Sequence, residues 1–273
     1  MSTATTTAHR DGAALAYRVI GKPSHELPPL LMVMGWTGVK EDWDSLPQTL
    51  GQKRQVVVFD NRGIGESTVT EGPYSMEQLA DDAMAVAEQA GLQTFDLMGI
   101  SMGGMIAQTL ALNYGPRIRR LVLGCTTHGG PRQVLPDGGP MSVLQNTHGK
   151  DRRAMSEALL SINIPAEFRA ANPAIWEALV ERSMTHKRPM RGIVHQLGAI
   201  MGFDVADRLS QITTPTLVVH GTADALLPYG NGQLLERGIR GSRLHTLEGA
   251  GHMFWITHPE QTARTLSHFL DAA

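Results

Sequence analysis

Five residues, Gly99-Ile100-Ser101-Met102-Gly103, constrain the fold of this chain more than any others. The apolar run Phe95-Asp96-Leu97-Met98 precedes them and the helix-patterned stretch Met105 to Leu112 follows, so the segment reads as strand, sharp turn, helix. A serine at such a turn is held in a strained backbone conformation. Its Oγ projects from the sheet edge above the N-terminus of the next helix, as in a nucleophile elbow. Glycines two residues to either side let strand and helix approach without Cβ clashes. With 29 glycines in 273 residues the spacing also arises by chance, so the surrounding pattern has to decide its meaning.

That pattern alternates. Leu30 to Met34, Val56 to Phe59, Phe95 to Ile100, Leu121 to Leu123 and Leu217 to His220 read as buried strands, with Leu15 to Ile20 and Leu244 to Leu247 as outer ones. Met76 to Ala90 carries apolar residues at helical spacing and ends at Gly91. The expected class is α/β with a mostly parallel sheet flanked by helices. From Thr127 the rhythm breaks at His128-Gly129-Gly130-Pro131 and Pro136-Asp137-Gly138-Gly139-Pro140. Ala154 to Leu160, Ala174 to Met184 and Gly192 to Met201 then read as helices with no strand among them. The expected organisation is a core of residues 1–126 and 207–273 with a helical lid inserted at 127–206.

Composition excludes several classes. A net charge of −2 provides no field for nucleic acid or an anionic membrane, and no run of 18 apolar residues is present. Met1 to Arg10 lacks the apolar stretch of a secretory signal and is expected to be a disordered tail. The one cysteine, Cys125, cannot form an internal disulfide, so a cytoplasmic location is expected. A single cysteine and the absence of H-E-x-x-H argue against a catalytic metal.

If Ser101 is a nucleophile it needs a base, and that base needs a carboxylate to fix its tautomer, in chain order Ser, Asp or Glu, His. Asp224 follows the strand Leu217 to His220, and His252 lies in the glycine-rich Glu248-Gly249-Ala250-Gly251-His252, after the next strand. Both positions are C-terminal strand edges, where open α/β sheets bind ligands. Asp204 and Asp207 precede a strand, no acid occurs from Leu121 to Gly130, His258 sits at a helix start and His220 reads as packing or support. The Met102 amide and the Trp36 amide of Met34-Gly35-Trp36-Thr37-Gly38 are the candidate oxyanion donors. Phe168, Trp176, Met184, His195, Phe254 and Trp255 are candidates for substrate lining, with core packing the competing role. Arg188 and Arg191 beside His195 are either a solvated basic turn or a greeting site for a carboxylate. Asp60-Asn61-Arg62-Gly63-Ile64-Gly65 lacks phosphate-cradle spacing and reads as a structural loop.

Together the elbow, Asp60-x-Arg62-Gly63-x-Gly65-x-Ser67, His220-Gly221-x-x-Asp224 and Gly249-x-Gly251-His252 resemble the α/β-hydrolase superfamily over the whole chain. Gly-Ile-Ser-Met-Gly-Gly and Leu123-Gly124-Cys125-Thr126-Thr127 are similar to 3-oxoadipate enol-lactonase-like and aryl-esterase-like members. The resemblance implies cofactor-free serine chemistry on a small-molecule ester or lactone, with Ser101, Asp224 and His252 as the triad. Serine at 101 sets the chain apart from dehalogenase and epoxide-hydrolase relatives, which use aspartate there. Many members carry His-Gly where this chain has Met34-Gly35, a change that keeps the backbone donor. Carbon–carbon bond hydrolysis, perhydrolysis and a receptor retaining the hydrolase shell stay open as alternatives.

Overall fold

Strand residues alternate between two apolar layers, and that alternation organises the molecule. The computed structural model describes residues 5–137 and 151–272. Gly138, Gly139 and Pro140 of the glycine/proline stretch and the start of the N-terminal segment, Met1 to Ala4, lie outside them. Eight strands, β1 (Thr6–Arg10), β2 (Ala13–Ile20), β3 (Leu30–Val33), β4 (Val56–Phe59), β5 (Phe95–Ile100), β6 (Ile118–Gly124), β7 (Thr216–Gly221) and β8 (Arg243–Leu247), form one sheet. Their order is β1-β2-β4-β3-β5-β6-β7-β8, parallel from β4 to β8, with β1 and β2 antiparallel. Leu31, Val33, Val57, Leu97, Leu121 and Val218 bury against α2 (Met76–Gln89) and α3 (Met102–Tyr114). Their neighbours Leu30, Met32, Val56, Met98, Val122 and Val219 face α1 (Leu46–Leu50) and, later in the chain, α9 (Phe254–Thr257) and α10 (Pro259–Leu270). A strand buried on both faces reads as a continuous apolar run, which is why these segments are legible in the sequence.

The expected N-terminal tail is corrected: Thr6–Arg10 is an edge strand, paired from Thr6 opposite Tyr17 to Arg10 opposite Ala13. Asp11 and Gly12 make the turn with φ of 45° and 74°, the conformation that Asp-Gly favours in two-residue hairpins. One buried apolar side chain, Ala8, is too weak a pattern to announce a strand.

Between β6 and β7 the described chain carries four α-helices, α4 (Arg152–Asn163), α5 (Ala166–Ala171), α6 (Pro173–Thr185) and α7 (Met190–Met201), then a 3-10 turn at Ala206–Gln211, and no strand. An antiparallel bridge between Gly129 and Asp204, flanked by bonds Gly130 N–H to Phe203 O and Val205 N–H to His128 O, closes the neck of this excursion. α8 (Gly230–Gly238) follows β7 and covers the α2/α3 face through Leu235. No described helix is long and apolar enough to cross a membrane.

Candidate active site

The β5–α3 junction sets Ser101 in a backbone conformation almost reserved for glycine, φ 54° and ψ −125°. Neighbouring backbone holds it there. Its N–H donates to the Gly124 carbonyl at 3.0 Å, and its carbonyl accepts from Thr126 Oγ1 at 2.7 Å and from the Gly104 amide at 2.9 Å. A side chain at Gly99 would collide with the Gly103 carbonyl, and one at Gly103 with the Val33 carbonyl, so both elbow glycines are sterically required. Met102 heads α3, where the first N–H groups have no partner inside the helix and point toward an anion at its end.

The β3 loop lies directly against the serine. A Cβ on Gly35 would stand 2.9 Å from Ser101 Cβ and 3.4 Å from its Oγ. Asn61 Nδ2 anchors the loop by donating to the Met34 carbonyl at 2.8 Å, and Gly38 N–H closes the turn onto Gly35 O at 3.2 Å. Thus the Trp36 backbone is brought beside the elbow, while its indole Nε1 donates to Ile193 O of α7 at 3.0 Å.

At the β7 edge, Asp224 Oδ1 accepts from the amides of Leu226 at 3.0 Å and Leu227 at 2.9 Å, fixing its plane. Oδ2 lies 2.8 Å from His252 Nδ1 and 3.4 Å from His220 Nε2. Burial by itself would raise this carboxyl, but the attraction of His252 and the hydrogen bonds from His220 and His252 outweigh it and hold it well below the ordinary range. A carboxylate at Nδ1 puts the proton there, leaving His252 Nε2 as the basic nitrogen. His220 donates Nε2–H to the Leu227 carbonyl at 2.8 Å, which leaves its buried Nδ1 without a partner.

Among the described residues no hydrogen bond joins the Ser101 hydroxyl to His252. Such contacts are commonly long before substrate binds. The Cys125 thiol shares a 4.8 Å cluster with the donor atoms of Asp224 and His252. That Cys/Asp/His group is the one described set close enough to share a metal ion. Its chemistry suits a hydrogen-bonded dyad better, because burial pushes the thiol well above its ordinary range and a protonated thiol is not a ligand. Sequence reasoning misses this place for Cys125, since its position after β6, with φ 38°, depends on the sheet register.

The six candidate lining residues separate. Phe254 and Trp255 are core: they stack edge to face at 5.6 Å, and Trp255 Nε1 donates to Asp42 O at 2.9 Å. Phe168 packs on the same cluster, Trp176 lies under the Arg169 guanidinium at 5.1 Å, and Met184 is half-buried near the end of α6. His195 packs on Tyr74 with ring centroids 5.0 Å apart, its buried Nε2 unpartnered. Arg188 is neither a solvated basic turn nor free to greet a carboxylate. Its Nε donates to Thr37 O at 3.1 Å, Nη1 to Ser183 O at 2.7 Å and Nη2 to Asp42 Oδ2 at 2.8 Å. Arg191 pairs with Glu71 at the surface. The 60–67 loop is structural, as expected: Asp60 accepts from the amides of Lys40 and Glu66, and Arg62 holds Asp82 and the Arg10 carbonyl.

An elbow serine after β5, an acid after β7 and a histidine after β8 on this sheet define a class. Residues 28–259 match the model of the α/β hydrolase fold family, and the chain belongs to that family. It is a hydrolase. The candidate carbamate hydrolase RutD of Pseudomonas savastanoi is 28% identical over 249 residues, covering 90% of this chain and 95% of that one. A hydrolase from Pseudomonas aeruginosa superposes with a TM-score of 0.85 at 27% identity over the full length of both chains. An enol-lactonase from Burkholderia xenovorans shares the fold with a TM-score of 0.87 at 24% identity, covering 98% of this chain and all of the other.

Proposed function

We propose that this hydrolase is a cofactor-free serine esterase or lactonase with Ser101 as nucleophile, His252 as general base and acid, and Asp224 as the group that fixes the imidazole. The observation that carries this reading is the 2.8 Å Asp224–His252 pair on the same sheet edge as a serine strained into the elbow conformation. In the first step Ser101 Oγ adds to the carbonyl carbon of a small-molecule ester or lactone while His252 Nε2 takes its proton. The oxyanion accepts from the Met102 and Trp36 amides, and the alcohol leaves with the proton from His252. Water activated by the same imidazole then releases the acid. Residues 127–206 act as a lid over this edge.

The likeness to the candidate carbamate hydrolase supports a second reading, in which the same residues cleave a carbamate through a carbamoyl-enzyme. A panel of aryl esters, lactones and carbamates, with fluorophosphonate labelling, separates the two. Wild type is expected to label and turn over esters or lactones fastest, and Ser101→Ala to do neither. Full turnover by Ser101→Ala would refute the nucleophile assignment, and preference for carbamates would favour the second reading.

A further inference from the structure

The loop that presents the Trp36 amide is held in shape by the lid as well as by the sheet. Thr37 follows Trp36 with φ 64°, a left-handed conformation that a β-branched residue adopts only under constraint. Both of its backbone polar groups are held by side chains from the inserted segment. The Thr37 N–H donates to Gln196 Oε1 at 3.4 Å, and the Thr37 carbonyl accepts from Arg188 Nε at 3.1 Å. Gln196 is fully buried, and its Nε2 donates to the Arg62 carbonyl at 2.9 Å, tying the oxyanion loop to the 60–67 loop through one lid side chain. Arg188 is locked in turn by Asp42 and the Ser183 carbonyl.

The helix carrying Gln196 is seated backbone against backbone. A side chain on Gly192 would drive its Cβ into the Gly63 carbonyl, and the Trp36 indole is pinned to Ile193 O one residue further on. Gly65 N–H also donates to Lys187 O at 2.9 Å. α7 therefore cannot lift from this edge without releasing Thr37.

We infer that Gln196 and Arg188 are positioning residues for the oxyanion hole. The lid does more than select substrate: through these two side chains it holds the Thr37 turn that aims the neighbouring Trp36 amide. The inference rests on the proposed role of that amide, although the positioning of the loop is measurable without it.

The test uses Gln196→Met and, at a less buried position, Arg188→Met, each in the full-length protein, with Arg191→Ala on the helix of Gln196 as control. Hydrogen exchange of the 34–38 segment is measured alongside kcat, KM and affinity for an aryl boronic acid, an oxyanion mimic. Both Met variants are expected to speed exchange of that segment at least tenfold. They should also lower kcat and boronate affinity about 10- to 100-fold, because moving an oxyanion donor forfeits part of the 10²–10³ that removing it costs. KM should change less than threefold, and the control should match wild type in every readout. If Gln196→Met does not fold, Arg188→Met decides. Exchange at the wild-type rate, or faster exchange with kcat and boronate affinity unchanged, would overturn the inference. If wild type neither labels nor turns over esters while the variants still loosen the loop, the serine-hydrolase reading fails and the positioning of the loop by the lid stands.

Discussion

Replacing Asp224 by Asn removes a charge without removing volume, and the surrounding bonds dictate how the site responds. The amide oxygen must take the place of Oδ1, because that side meets two backbone donors, Leu226 N–H and Leu227 N–H. The NH2 group then faces His252 Nδ1 at the 2.8 Å position and also His220 Nε2, itself committed as a donor to Leu227 O. Turning the amide over sets the NH2 against both backbone donors instead. His252 is therefore pushed to the tautomer with its proton on the nitrogen the serine needs as a base. In a serine protease the equivalent change lowers kcat about 10⁴-fold, which is about 5.4 kcal/mol of barrier. An opposite charge pair 2.8 Å apart at an effective dielectric of about 20 is worth about 6 kcal/mol, so the Coulombic support lost for the imidazolium is of the same size. Steady-state kinetics on an aryl ester, with circular dichroism to confirm folding, should show a loss of about 10³ to 10⁴ in kcat. A folded Asp224→Asn protein within tenfold of wild type would refute the tautomer argument.

Ser101→Gly relieves backbone strain of about 1–3 kcal/mol while adding about 0.5–1 kcal/mol of unfolded-state freedom, so it should melt about 2 °C above Ser101→Ala by calorimetry; a Ser101→Gly protein that melts below Ser101→Ala would show that the elbow is unstrained. Asp224 is held below its unfolded value, so its stabilisation is full above about pH 4 and drains as pH falls toward the lowered folded value. The urea-measured advantage of wild type over Asp224→Asn should therefore narrow by about 1 kcal/mol between pH 5 and pH 3, and a constant gap would contradict the depressed carboxyl. Gly192→Ala should cost about 1–3 kcal/mol in denaturant unfolding because its methyl meets the Gly63 carbonyl, and an unchanged midpoint would show that α7 is not seated as described.

Local chemistry explains which features are readable from the chain alone. Val56 to Phe59 and Leu217 to His220 are buried on both faces, and a continuous apolar run needs no partner to be recognised. The elbow, Asp224 and His252 each sit where a strand pattern stops at glycine-rich chain, so a topology rule can order them. β1 escapes because one buried alanine is set against a Ser/Thr-rich background, although Asp11-Gly12 carries the hairpin signal. The bonds of Arg188 and Gln196 to Thr37 cross 151 and 159 residues of sequence and end on backbone atoms, which have no side-chain signature. Basic residues in a turn therefore read as a solvated turn or a ligand site, where the folded chain uses one of them, Arg188, as a brace.

The seating of α7 also bears on how such a protein diversifies. Grafting a foreign cap onto this sheet to change substrate range would strip away the partners of Thr37, even with every residue of the sheet edge left intact. A successful exchange has to carry Arg188, Gly192 and Gln196 across as a unit, or supply another pair of groups for the same turn. On the lid and oxyanion-loop roles proposed above, a change of cap alters reaction rate along with substrate preference, and selection on one drags the other with it.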